Sequence, residues 1–164
     1  MSPLKKRDFK TFFSLNDCKA AMTGHLLFSQ IDPINPVTTS SIIINELIRE
    51  HIKFQGLLLS DDLSMEALSG SLSQRASKAL SAGCDIGLHC NGRLDEMAEI
   101  ASTKLQFSKS SETRIDTFLS QIKRLKKNRE NINYESTLHK FNEKLTSIWA
   151  DHWIFCIYFH ESIV

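Results

Sequence analysis

The chain has 164 residues, the length of a single domain, and 41% of them are hydrophobic, enough to enclose a core. Its 20 Lys and Arg against 19 Asp and Glu leave a net charge of +1, which excludes the one-signed field of a nucleic-acid or acidic-membrane binder. No apolar run approaches the ~20 residues of a membrane helix, and the basic patches Lys5-Lys6-Arg7 and Lys123 to Arg129 read as solvated surface.

Met1 to Arg7 begins like the charged start of a leader, but Asp8 to Thr11 interrupts the apolar stretch a leader needs. Cys18, Cys84, Cys90 and Cys156 form no Cys-x-x-Cys pair, so free thiols in a reducing cytoplasm are expected. His89 beside Cys90 lacks the second pair of ligands that a zinc site requires, and no metal is expected there.

Strand-like and helical segments alternate. Ala20 to Thr23 is a short apolar strand, followed by a loop through Asp32-Pro33 and Asn35-Pro36, where proline opposes helix. Ser40 or Ser41 then caps a helix with Ile43, Ile44, Leu47 and Ile48 on its apolar face. Phe54 to Ser60 is the second strand; its consecutive leucines suit a parallel strand covered on both faces. Met65 to Ala82 is predicted as the next helix, closed by Gly83. Asp85 to His89 is the third strand, and Leu94, Met97, Ala98, Ala101 and Leu105 define a third helix.

The order β-α-β-α-β-α with short connections predicts a parallel sheet with right-handed crossovers. Periodicity does not choose between an open doubly wound sheet and a closed barrel. After Ser111 the pattern is helical, with one stripe from Ile115 to Leu125 and another through Leu138, Phe141, Leu145 and Ile148. The run WIFCIYFH from Trp153 is apolar and aromatic, a strand prone to aggregation if left uncovered.

The chemistry concentrates in GLLLSDDLSMEALSG, residues 56 to 70, where a leucine strand delivers two aspartates to its own tip. In α/β sheets and barrels, reactive groups sit beyond the carboxyl ends of the strands. A carboxylate there can ligate a metal, act as a base, attack an electrophilic carbon, or cap the next helix. Asp62 or Ser64 could be that cap, with Glu66 in the first turn. A magnesium site would need further acids or phosphates, and no glycine-rich phosphate loop is present.

GLLLSDDLSMEALSG closely resembles the nucleophile motif of the bacterial beta-N-acetylhexosaminidases of glycoside hydrolase family 3. AAMTGHLLFSQIDP at 20 to 33 is similar to that family's preceding strand and histidine loop. TTSSIIINELIREHIKFQG at 38 to 56 resembles its next helix, and ALSAGCDIGLHCNG at 79 to 92 its final strand. The resemblance runs in order from about residue 9 to 126. It implies an α/β fold, a partial TIM-like barrel made of the last three βα units and followed by C-terminal helices. The barrel part would be residues 1–126, and 127–164 an extension of unknown role.

The resemblance further implies a cytoplasmic hydrolase of peptidoglycan recycling that removes terminal N-acetylglucosamine from muropeptide fragments, without metal or organic cofactor. Asp61 would be its nucleophile on the retaining route. Asp62 would be a supporting residue that holds the loop or caps the helix. From their own places at strand ends, His25 and His89 are expected to line or support the pocket. The family's acid/base histidine sits in a Lys-His-Phe-Pro-Gly-His-Gly type segment on an earlier strand, and the chain contains no such segment. A closed barrel of this kind takes ~250 residues, so the single chain is expected to be incomplete: either truncated, or encoded apart from a separate N-terminal half that would be its partner. The alternative is a non-catalytic remnant or interaction module derived from such an enzyme.

Overall fold

The structure, a computed structural model, describes residues 9–129 together with 135, 136, 138–140 and 143. The chain divides into two compact units, Met1–Ile122 and Lys123–Val164. The elements are α1 (Lys10–Phe13), β1 (Ala20–Met22), α2 (Ile43–His51), β2 (Leu57–Asp62), α3 (Leu72–Ala82), β3 (Ile86–Leu88), α4 (Leu94–Ser102) and α5 (Lys109–Arg129). A single 3-10 turn, Val37–Thr39, precedes α2. In the second unit the described residues include His139 and Glu143, which face each other across one helical turn at 3.4 Å. Apart from Leu138, the second helical stripe and the WIFCIYFH run lie outside the described residues.

The three strands pair in parallel in the order β1-β2-β3. Ala20, Ala21 and Met22 stand opposite Leu57, Leu58 and Leu59 in regular register. On the other side Leu59 faces Ile86 but Asp62 faces Leu88, so β2 carries one residue too many and bulges. The Ser60 side chain fills the irregularity: its Oγ accepts the Leu88 N–H at 2.9 Å and donates to the Asp61 carbonyl at 2.7 Å.

Ile43, Ile44, Leu47, Phe54, Leu58, Leu63, Leu68, Ala76 and Ala79 form the buried core. Helix α2 is wound wide, with the Ile52 N–H reaching Leu47 O at 2.8 Å rather than the carbonyl four residues back. Ser40 begins it, its Oγ accepting from Ile43 N at 3.2 Å. Cys84 lies within the core, and burial pushes its thiol up to about 12, where it is inert.

Helix α3 starts at Leu72, not at Met65 as the periodicity predicts. Ser71 closes a reciprocal cap with Gln74. The stretch from Leu63 to Gly70 is instead a loop clipped by Arg75, whose guanidinium donates to Leu63 O, Met65 O and Gly70 O at 2.9–3.0 Å. Three carbonyls on one cation outweigh the modest propensity of Leu, Met and Glu for helix. Gly83 ends α3 with φ 117°, and a Cβ there would meet Ile44 Cγ2 at 2.8 Å.

The loop before α2 is tied by Asp32, which is 3% exposed. Its Oδ1 accepts from Ile34 N and Asn35 N at 3.0 and 2.9 Å, and its Oδ2 from Ser40 Oγ at 2.7 Å. The Asn35 N–H foremost, then Ser40 and the Ile34 N–H, outweigh burial and hold this carboxyl far below its ordinary value of 3.8. A depressed carboxyl stabilises the fold above its unfolded value and loses that contribution as pH falls toward the folded one. Asp32→Ala should therefore lower the melting temperature at pH 7, with the gap to wild type shrinking as pH falls below 3.8. Melting curves across pH 2–7 check this; a gap independent of pH would show that the carboxylate charge is not what holds the loop.

The outer edge of β1 has no strand partner among the described residues. Beside it runs an apolar groove of about 360 Å³ lined by Phe9, Phe12, Leu15, Met22 and Leu26 among others. Met22 and Leu26 are 57% and 62% exposed.

Candidate active site

The carboxyl ends of the three strands bring together Asp61 and Asp62 from β2, His25 just beyond β1 and His89 just beyond β3. Asp61 is half-buried, and its Oδ1 accepts the N–H of Asp62 at 2.8 Å. No other hydrogen bond reaches its carboxylate among the described residues, so one oxygen stays open.

Asp62 is bound on every side. Its Oδ1 accepts from Ser64 N at 3.0 Å and Cys90 N at 3.1 Å, and its Oδ2 from Ser64 Oγ at 2.6 Å. Burial raises its carboxyl, but the Ser64 hydroxyl and N–H, the Cys90 N–H and the His89 charge together hold it below the ordinary value. Asp62 therefore joins the loop after β2 to the loop after β3.

His25 performs the corresponding tie toward β1. Its Nε2 lies 2.9 Å from the Asp62 carbonyl, which can only accept, so the ring donates there. Its Nδ1 shares a hydrogen bond with the Thr38 hydroxyl at 2.7 Å, and Thr23 Oγ1 stands 2.8 Å behind Thr38. Both ring nitrogens are thus engaged in a chain from Thr23 through Thr38 and His25 to the β2 tip.

The His89 side chain is 8% exposed and donates from Nε2 to Glu96 Oε2 at 2.7 Å, while its Nδ1 is buried without a partner among the described residues. Glu96, in the first turn of α4, also receives Asn91 Nδ2 at 2.6 Å and faces Arg93 Nε at 3.2 Å. The His89 hydrogen bond, then that of Asn91, holds the Glu96 carboxyl below its ordinary value.

Ser60, Thr23, Thr38 and Glu96 do not stand out in the sequence. Ser40 or Ser41 reads as the cap of the next helix, which Ser40 provides, and Thr38 beside them gives no separate signal. Glu96 reads as an ordinary acid in a helix first turn. Among the described residues no group of three or more His, Cys, Asp or Glu converges as a metal would require, and no helix is long and apolar enough to cross a membrane.

A parallel α/β sheet that presents an open carboxylate at a strand tip, flanked by braced histidines, has the layout of an α/β enzyme. The chain belongs to glycosyl hydrolase family 3: the model of that family's N-terminal domain matches residues 2–125. It is 38% identical over 96 residues to a beta-hexosaminidase of Idiomarina loihiensis, covering 57% of this chain and 29% of that protein. A beta-hexosaminidase of Pseudomonas aeruginosa is 37% identical over 109 residues, covering 65% and 32%. Native NagZ from Neisseria gonorrhoeae superposes with a TM-score of 0.59 at 29% identity, covering 68% of this chain and 32% of that one. The same protein in complex with N-trifluoroacetyl-D-glucosamine gives 0.50 at 32% identity, covering 57% and 27%. The chain thus spans about a third of the length of these relatives.

Proposed function

We propose that Asp61 is the nucleophile of a retaining beta-N-acetylhexosaminidase, and that the three βα units are the last part of a TIM-like barrel formed by residues 1–126. The observation that carries this reading is the open carboxylate oxygen of Asp61 at the C-terminal tip of β2, within a chain of the glycosyl hydrolase family.

In the first step an Asp61 oxygen bonds to the anomeric carbon while the glycosidic C–O bond breaks, and the leaving oxygen takes a proton. Water then attacks the same carbon, its proton is removed, and Asp61 is released, so configuration is retained. Asp62 and His25 support the tip through the hydrogen bonds described above, and His89 borders it. The substrate is a terminal N-acetylglucosamine on a muropeptide fragment in the cytoplasm; a relative's complex with a glucosamine derivative supports the sugar class.

The proton-transfer group and the rest of the pocket come from the N-terminal part of the barrel, ahead of these three βα units. The edge of β1, which has no strand partner among the described residues, and the apolar groove beside it are suited to a further strand and helix of that N-terminal part. The test mixes the full chain with the N-terminal two-thirds of the Pseudomonas relative and follows release of nitrophenol from 4-nitrophenyl N-acetyl-β-glucosaminide. Turnover is expected in the mixture and not in either part alone. A stable complex with no turnover would overturn the catalytic reading in favour of an interaction module, which the same exposed groove would serve.

A further inference from the structure

The tip of β2 is braced from β1 by His25, whereas the bond from β3 comes from the Cys90 N–H, in a loop that itself needs holding. That loop, Cys90 to Arg93, is exposed and passes through Gly92 at φ 74° with open space around it. Its fixed points are His89 at one end and Glu96 at the other, joined at 2.7 Å.

We propose that Glu96 is a positioning residue for Asp61, acting through His89 and the Cys90 amide. The inference rests on the nucleophile reading above. Glu96 accepts from His89 Nε2 and from Asn91 Nδ2, closing the loop on itself. The closed loop presents the Cys90 N–H to Asp62 Oδ1 at 3.1 Å, and Asp62 in turn presents its own N–H to Asp61 Oδ1 at 2.8 Å. Among the described residues His89 Nδ1 has no partner, so the bond to Glu96 is the hydrogen bond that fixes the ring's orientation. The near-complete burial of the ring suits a brace better than a group that touches substrate.

Amide hydrogen exchange on the full chain reads the brace directly. In Glu96→Ala the Cys90 amide should exchange about tenfold faster, the factor that one hydrogen bond's net worth corresponds to, with the Asp62 amide following. The Leu58 amide, bonded to buried Asp85, should stay unchanged and reports that the fold is intact. Glu96→Gln keeps an acceptor for His89 and should exchange like wild type, whereas His89→Gln should resemble Glu96→Ala. In the mixture with the N-terminal half, kcat should fall in Glu96→Ala with KM unmoved, equally for nitrophenyl and dinitrophenyl glycosides.

Unchanged Cys90 and Asp62 amides in a folded Glu96→Ala would overturn the proposal. So would a loss confined to the poorer leaving group, which is the mark of a proton donor. Faster exchange in Glu96→Ala, beside a wild-type mixture that forms a stable complex yet never turns over, would instead sink the nucleophile reading and leave only the structural brace.

Discussion

Asp85→Ala is expected to lower the unfolding free energy by about 3–5 kcal/mol, the scale for breaking a buried ion pair by removing one partner. Asp85 is 0% exposed and stands where β3 begins. Its Oδ2 accepts from Arg49 Nη2 and Leu58 N at 2.9 Å and from Arg114 Nε at 3.0 Å, and its Oδ1 from Ser111 Oγ at 2.7 Å. The alanine variant leaves two guanidinium groups, 11% and 22% exposed, facing each other without a counter-charge. Burial and then Arg114 already lower the Arg49 value, with Asp85 opposing them. Arg114→Ala should cost less, because Arg49 still neutralises the carboxylate and stays bonded to Phe54 O and Gly56 O. Denaturant unfolding of both variants measures the order. A loss below about 1 kcal/mol for Asp85→Ala, the level of an exposed pair, would mean that the cluster does not hold the helices to the sheet.

The second large effect belongs to chemistry rather than stability. Asp61→Asn should reduce turnover in the reconstituted mixture on the order of 10⁴-fold or more, as removal of a single member of a catalytic unit does. The amide has the same shape, and its oxygen can still accept the Asp62 N–H, so stability should change by no more than about 0.5 kcal/mol. The pairing of lost activity with an unchanged unfolding midpoint is the diagnostic. If Asp62→Asn removes activity and Asp61→Asn does not, the two acids exchange roles. If neither does, the strand tip is not the reactive centre.

The strands were legible because their apolar runs are short and bounded by Gly24, Gly56 and Gly83. Strand β2 nevertheless starts later and ends later than the leucine pattern suggests. Phe54 leaves the strand to pack in the core after Lys53 turns with φ 63°, and pairing with Leu88 carries the ladder through Asp62. The late start of α3 was invisible because it depends on Arg75 reaching back over many residues, a tertiary contact with no local signature. Helix α1 leaves no mark in the sequence because its four residues make a single turn, which carries no period.

At the site, the positions of Asp61, Asp62, His25 and His89 at strand ends could be read from the sequence, since each lies within three residues of the end of an apolar run. What holds them could not. Thr38 reaches His25 across a proline-containing loop, and Glu96 meets His89 from the next helix. Both depend on how separate elements dock.

The bulge in β2 makes the difference between the two neighbouring acids a matter of counting. Successive residues of a strand look to opposite sides, so an extra residue shifts everything after it by half a repeat. A lineage that lost Ser60 from the bulge would turn the open acid inward to do the tethering and its neighbour outward. The same two aspartates, in the same order, would then trade duties with no change of side chain.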